Sequence, residues 1–240
     1  MQRRRYLAIS GTALTLSMAG CAGESSGSGD VQFNAGTAPG NDDSDTTDDE
    51  TQEQEQEAEP DPIEFGGSNT DITTEFPLKS GFTVFDLEHE GDLNFIVQVI
   101  RGWDRIETLS NEIGAWSATV PFSAPASTEY QLQVEADSDW SVTVRQPRPT
   151  TDDVVPASSV TLTGERPDVF GPYEFDGNTV VESSHSGESD FVVEALAPNG
   201  ELTDQLVSET GAYEGTTDYD EEGFGWIYVQ AEGEYEIHLE

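Results

Sequence analysis

The sequence predicts an all-β protein: two tandem antiparallel β-sandwiches, jelly-roll-like, that follow a disordered acidic tether. Three observations carry this reading. The first is internal repetition. Residues 81–100 align without a gap onto residues 177–196, so that Gly81, Thr83, Val84, His89, Gly91 and Phe95 fall on Gly177, Thr179, Val180, His185, Gly187 and Phe191. Further along, Leu109, Glu112, Gly114, Ala115 and Trp116 meet Leu206, Glu209, Gly211, Ala212 and Tyr213. Near the end, Leu132, Val134, Ala136, Trp140, Val142 and Val144 meet Ile227, Val229, Ala231, Tyr235, Ile237 and Leu239. The register slips only inside polar or Gly- and Pro-bearing segments, where loops absorb insertions. The second observation is alternation. Tyr130, Leu132, Val134 and Ala136 alternate with Gln131, Gln133 and Glu135, the period of a half-buried strand. The third is that no window sustains a helical stripe, while turn signals recur at short intervals, which favours a compact antiparallel sandwich or barrel in each copy.

Taken in order, residues 1–20 read as an export signal. Arg3, Arg4, Tyr6 and Leu7 resemble the twin-arginine motif, with Tyr6 where Phe is commoner. Residues 7–19 are mildly apolar, diluted by Ser10, Gly11, Thr12, Thr15 and Ser17. They are too short for a spanning helix, which takes about 20 apolar residues. Met18, Ala19, Gly20 and Cys21 resemble a lipobox, in which small residues precede a Cys that receives lipid and becomes the new N-terminus; Met18 stands where Leu is usual. An ordinary cleavage site with an incidental thiol is the alternative, but Cys21 is the only Cys and falls where the lipobox needs it. With no second Cys, an internal disulfide is excluded. The resemblance implies a twin-arginine translocase as export partner and membrane lipid as partner through the modified Cys21. It places the protein at the cell surface, on the outer face of the cytoplasmic membrane. Each buried methylene adds ~0.8 kcal/mol, and two chains anchor stably where one does not.

Residues 21–62 read as a linker, Ser/Gly-rich first and then rich in Asp, Glu and Gln. Eleven of the 21 positions from 41 to 61 are acidic, and like charges extend such a coil. Its mean span is roughly 35–40 Å, and ~140 Å fully stretched. It is either a spacer that lifts the folded part off the membrane or an unselected linker.

The first sandwich is expected over 63–146 and the second over 158–240, joined by a stiff, Pro-marked linker at 147–157. Residues 82–88 and 93–100 form a candidate strand pair around Gly91. Residues 130–136 and 140–144 read as a hairpin about Asp137-Ser138-Asp139, repeated in the second copy with a tighter Glu232-Gly233 turn, where Gly supplies a positive φ. The pattern of Phe85, His89, Gly91 and Phe95, then Glu112, Gly114 and Trp116, then Tyr130, Leu132, Val134, Trp140 and Val142, resembles a β-domain of surface lipoproteins from salt-loving archaea and some bacteria. It covers about residues 70–146 and, more loosely, 158–240, where Val181 replaces Phe85 and Tyr235 replaces Trp140. The resemblance implies an exported β-sandwich and transfers no catalytic residue.

Charge narrows the partners. Nine Lys and Arg face 49 Asp and Glu, a net of −40. Removing Arg3, Arg4 and Arg5 with the signal leaves six basic residues and a net of −43. Nucleic acid and anionic lipid surfaces are repelled by such a chain. Disorder explains the acidity only before Ile63, because apolar and aromatic residues are plentiful after it. A halophile surface explains the rest: at ~1 M salt the Debye length is about 3 Å and neighbouring carboxylates barely interact.

No residues assemble into a catalytic motif, and no metal or cofactor is expected. His89 and His185 occupy matching places, but metal chemistry needs converging ligands and neither has another His or Cys nearby. A strand-end hydrogen bond near the Gly91 and Gly187 turns is the duller account. His238 has no counterpart. Asp218-Tyr219-Asp220-Glu221-Glu222-Gly223 partly mimics a calcium loop, yet the twelfth position is Val229, where a bidentate acid is required. Trp116 and Tyr213 repeat and read as core, whereas Trp103 and Trp226 lack aromatic counterparts and are the candidates for exposed, ligand-stacking rings. The expected function is non-enzymatic: a lipid-anchored surface protein with a structural, adhesive or partner-binding role toward an envelope protein or glycan. The alternative is a carbohydrate-binding or hydrolytic accessory module of the envelope. Two outcomes test these expectations. Cys21→Ser should release the protein into the medium, read by fractionation. Transfer from molar to low salt should lower the melting temperature, because residues 63–240 carry 36 acidic against six basic side chains.

Overall fold

The computed structural model describes residues 58–240. The export motif (Arg3, Arg4, Tyr6, Leu7), the lipobox (Met18, Ala19, Gly20), Cys21 and most of the acidic linker lie outside the described residues. The first sandwich consists of β1 (Ile63–Gly67), β2 (Asp71–Ile72), β3 (Phe76–Leu78), β4 (Gly81–His89), β5 (Asn94–Arg101), β6 (Asp104–Ile113), β7 (Trp116–Ala124), β8 (Thr128–Glu135) and β9 (Trp140–Arg145). The second consists of β10 (Val155–Pro156), β11 (Val160–Gly164), β12 (Asp168–Asp176), β13 (Thr179–His185), β14 (Asp190–Leu196), β15 (Leu202–Thr210), β16 (Tyr213–Tyr219), β17 (Glu222–Gln230) and β18 (Tyr235–Leu239).

In the first sandwich one sheet runs β1-β9-β4-β7 and the other β2-β8-β5-β6, with β3 also on β8. The second repeats this order as β11-β18-β13-β16 and β12-β17-β14-β15, with β10 added parallel to β12. Both are jelly rolls, a four-stranded and a five-stranded sheet joined by connections that cross between them. The alternating residues close the layers. Phe95, Val97 and Val99 of β5 meet Phe85 and Leu87 of β4 and Leu132 and Val134 of β8 in one core. Phe191, Val193, Val181, Ile227, Val229, Ile237 and Leu239 fill the other.

The expected strands are present, but three expected pairings are not. β4 bonds to β7 and β9, whereas β5 bonds to β6 and β8, so the turn at Gly91 crosses from one sheet to the other. The turn at 137–139 does the same between β8 and β9, as does Gly233 between β17 and β18. Alternation reports which face of a strand is buried and says nothing about its partner, so a tight turn reads alike whether it closes a hairpin or an arch.

The two sandwiches dock. On the outer face of β4, Phe82 and Val84 are buried against Leu196, Trp226 and Tyr228, with Val169 alongside. The rings of Phe82 and Trp226 stack at 4.5 Å. The amide of Thr119 in β7 donates to the carbonyl of Pro167 at 3.0 Å, and the Arg166 guanidinium donates to the Ser117 hydroxyl. Arg145 makes a two-pronged pair with Asp86, both bonds 2.8 Å, at the rim; this hydrogen bonding raises the arginine pKa above its ordinary value. Trp226 is therefore corrected: it is 5% exposed and is consumed by the docking of the second sandwich on the first. Trp226→Ala should cost about 3 kcal/mol and split a single calorimetric unfolding peak into two, because the sandwiches lose the stack that couples them.

Candidate functional site

The repeated histidines end β4 and β13 as buried pegs. Each ring lies flat on a core Phe, His89 on Phe95 at 4.7 Å and His185 on Phe191 at 4.8 Å. In each, Nδ1 sits 3.0 Å from a backbone oxygen, of Gly114 or of Gly211. A carbonyl only accepts, so whichever ring nitrogen bonds one must carry the proton, and Nδ1 makes the shortest such contact in both copies. Nε2 of His185 reaches the carbonyl of Glu232 at 3.3 Å, while that of His89 lies 3.2 Å from an Asp137 carboxylate oxygen, off the line of a good hydrogen bond. A Cβ on Gly91 or Gly187 would meet the imidazole Nε2 at 2.5 Å, which explains why the glycine repeats with the histidine. Buried and facing backbone, each ring ties the end of its strand to the connection that enters the adjacent strand of the same sheet, 114–115 before β7 for His89 and 211–212 before β16 for His185.

Polar chemistry collects on the outer face of β11-β18-β13-β16. Two rows cross it by strand register: Thr163, Glu236, Ser184 and Glu214, then Thr161, His238, Glu182 and Thr216. All of these but Thr161 line two shallow depressions of about 920 Å³ and 630 Å³. His238 bonds Thr161 through Nδ1 and Glu236 through Nε2, both at 2.9 Å. Among the described residues no Lys or Arg forms an ion pair with Glu182 or Glu214. The run at 218–223 does not form a loop around a point: Asp218 ends on β16 and Glu222 begins β17, in opposite sheets. Half-buried Glu194, which faces Tyr228 across β14 and β17, has its pKa raised by desolvation, against a lowering hydrogen bond from Gln205. Burial likewise pushes the Tyr228 phenol well above its ordinary range.

Among the described residues the most exposed large hydrophobic side chain is Trp103, 102% exposed, at the tip of the β5–β6 hairpin. Arg101 and Arg105 flank it, and neither makes an ion pair or a side-chain hydrogen bond among the described residues. The corresponding β14–β15 hairpin of the second sandwich is occupied: a Cβ on Gly200 would sit 2.6 Å from the Phe82 ring. A crevice of about 350 Å³ beside it is lined by Phe82, Pro147, Arg148, Pro198, Asn199 and Phe224, among others. Sequence reasoning singled out both tryptophans because the other copy lacks them, and missed that this asymmetry also marks a docking residue. Phe82, which corresponds to Asn178, carried the same signal.

No family model matches the chain, and no curated protein matches it. Among solved structures it is similar to the crystal structure of the PBSX exported protein XepA, at 11% identity over 70% of this chain and 84% of that one, TM-score 0.22. It is similar also to the N-terminal CBM22-1-CBM22-2 tandem domain of Xyn10C from Paenibacillus barcinonensis, at 10% identity over 75% and 92%, TM-score 0.22. At that score neither likeness carries an argument about this chain.

His89→Leu and His185→Leu should each destabilise the protein by about 1–3 kcal/mol, the cost of an orphaned buried carbonyl, read by urea unfolding. Binding to envelope material should be unchanged by either.

Proposed function

We propose that the chain is an exported, lipid-anchored surface protein of a high-salt envelope, whose docked jelly rolls present a contact surface and perform no chemistry. The observation that carries this reading is Trp103. A tryptophan wholly in water at a hairpin tip stands between two arginines that make no ion pair among the described residues, and Trp and Arg are the residues that dominate interface energetics. The chain has only six basic side chains after Ile63; two of them stand here. The lipobox-like Cys21 and the acidic linker supply the anchor and the reach. Trp103→Ala should reduce retention of the full chain on native cell envelope, at molar salt, by about tenfold; unchanged retention would sink the reading.

A second reading places a glycan on the outer face of β11-β18-β13-β16, because the row Thr163, Glu236, Ser184 and Glu214 alternates hydroxyls with carboxylates at cross-strand spacing. In that case Glu214→Gln with Glu236→Gln should weaken binding to envelope polysaccharide while Trp103→Ala leaves it intact.

A further inference from the structure

We propose that the docking which joins the two sandwiches within one chain also joins chains head to tail, with the Trp103 hairpin of one copy seated on β13 and β16 of the next. This rests on reading that hairpin as a contact surface, and it names the partner as a second copy.

Each sandwich owns both halves of the internal joint, a hairpin with its neighbouring sheet face and a receiving face on the opposite sheet. Within the chain, the β14–β15 hairpin and the face of β17 meet the outer face of β4 and β7. One hairpin (β5–β6) and one receiving face (β13 and β16) remain without a counterpart.

Position by position, the unused halves fit each other. On the used receiving face Phe82 leads to Val84, which pairs with Pro121 on one side and Arg145 on the other. On the unused face Asn178 leads to Val180, which pairs with Asp218 and exchanges both backbone hydrogen bonds with Glu240. On the used hairpin the residues are Ala197, Asn199, Gly200 and Leu202; on the unused one they are Arg101, Trp103 and Arg105.

Bulk has thus changed sides. The internal joint sets a large ring on the face against a glycine on the hairpin, whereas the free halves set a small Asn178 on the face against Trp103 on the hairpin. Charge has changed in step. Two arginines appear on the free hairpin where the docked one has Ala197 and the exposed Leu202, and two acids appear on the free face where the docked one has Pro121 and Arg145. Asp104 lies between the arginines, and the tip still keeps a net positive charge. Two surfaces that never meet in one chain have become complementary in size and sign.

The intermolecular joint is the weaker one. Trp226 and Tyr228, which supply most of the apolar cover inside the chain, correspond to Gln131 and Gln133 in the first sandwich. The contact is heterologous, so copies add in a row instead of closing as a symmetric dimer.

The test uses the full chain carrying Cys21→Ser, so that lipid cannot cluster it, in sedimentation equilibrium at ~0.15 M and ~1 M salt. The weight-average mass should rise with concentration past that of a dimer. Trp103→Ala, and separately Asp218→Arg with Glu240→Arg, should each weaken association about tenfold or more with circular dichroism unchanged. Mixing the two variants decides polarity: each keeps one working end, so the mixture should form one-to-one dimers and nothing larger. A chain monomeric to about 1 mM, a closed dimer indifferent to these variants, or a mixture that stays monomeric would overturn the proposal. If the chain is monomeric yet Trp103→Ala still loses the envelope, self-association fails and the contact-surface reading stands. If Trp103→Ala changes neither, both fall.

Discussion

Every strand here belongs to a sandwich in which one face must be dry, and that constraint divides the residues into two populations. Those that point inward repeat: Phe95 with Phe191, Val97 with Val193, Val142 with Ile237. Those that point outward have diverged. Phe82 faces Asn178 in the alignment, Arg145 faces Glu240, and Gln131 faces Trp226. Interior packing near crystalline density tolerates little change in volume, while an outward position answers only to what covers it. The fold is therefore conserved between the halves on its inside and specialised on its outside.

The histidines belong to the inward population although their chemistry invites another reading. A ring stacked on Phe and bonded to a backbone oxygen satisfies its polar edge at the rim of an apolar layer. It does so twice, with a glycine two residues on that leaves the imidazole room. Trp140 and Tyr235 show a related economy: the indole N–H donates to the Asn69 carbonyl and the phenol O–H to the Arg166 carbonyl. Different side chains thus fasten the same corner.

The all-β class and the two tandem sandwiches were legible because the repeat and the alternation are local facts of the sequence. The pairing was not. The period-two pattern of 82–88 and 93–100 fixes a buried face, but the choice between a hairpin and an arch depends on which strands arrive later to flank β4. Trp103 and Trp226 looked alike in sequence, each a tryptophan missing from the other copy. Only the opposing surface separates them: Phe82 lies against Trp226, and nothing among the described residues lies against Trp103. Surface acidity was legible as a total and not as a map, since register alone brings Glu182, Glu214 and Glu236 onto one sheet face.

The docking of one sandwich on the other also has a direction in time. Chains emerge from the ribosome N-terminus first, and domains tend to fold as they appear. The first jelly roll has all its strands once Arg145 is out, long before β17 exists. Through that interval Phe82 and Val84 form a greasy patch in water, and Trp226 later arrives onto a surface already built. The amino-terminal half therefore serves as template for its own duplicate, and a ribosome stalled in the Pro-marked linker would leave a nascent protein with an uncovered adhesive face.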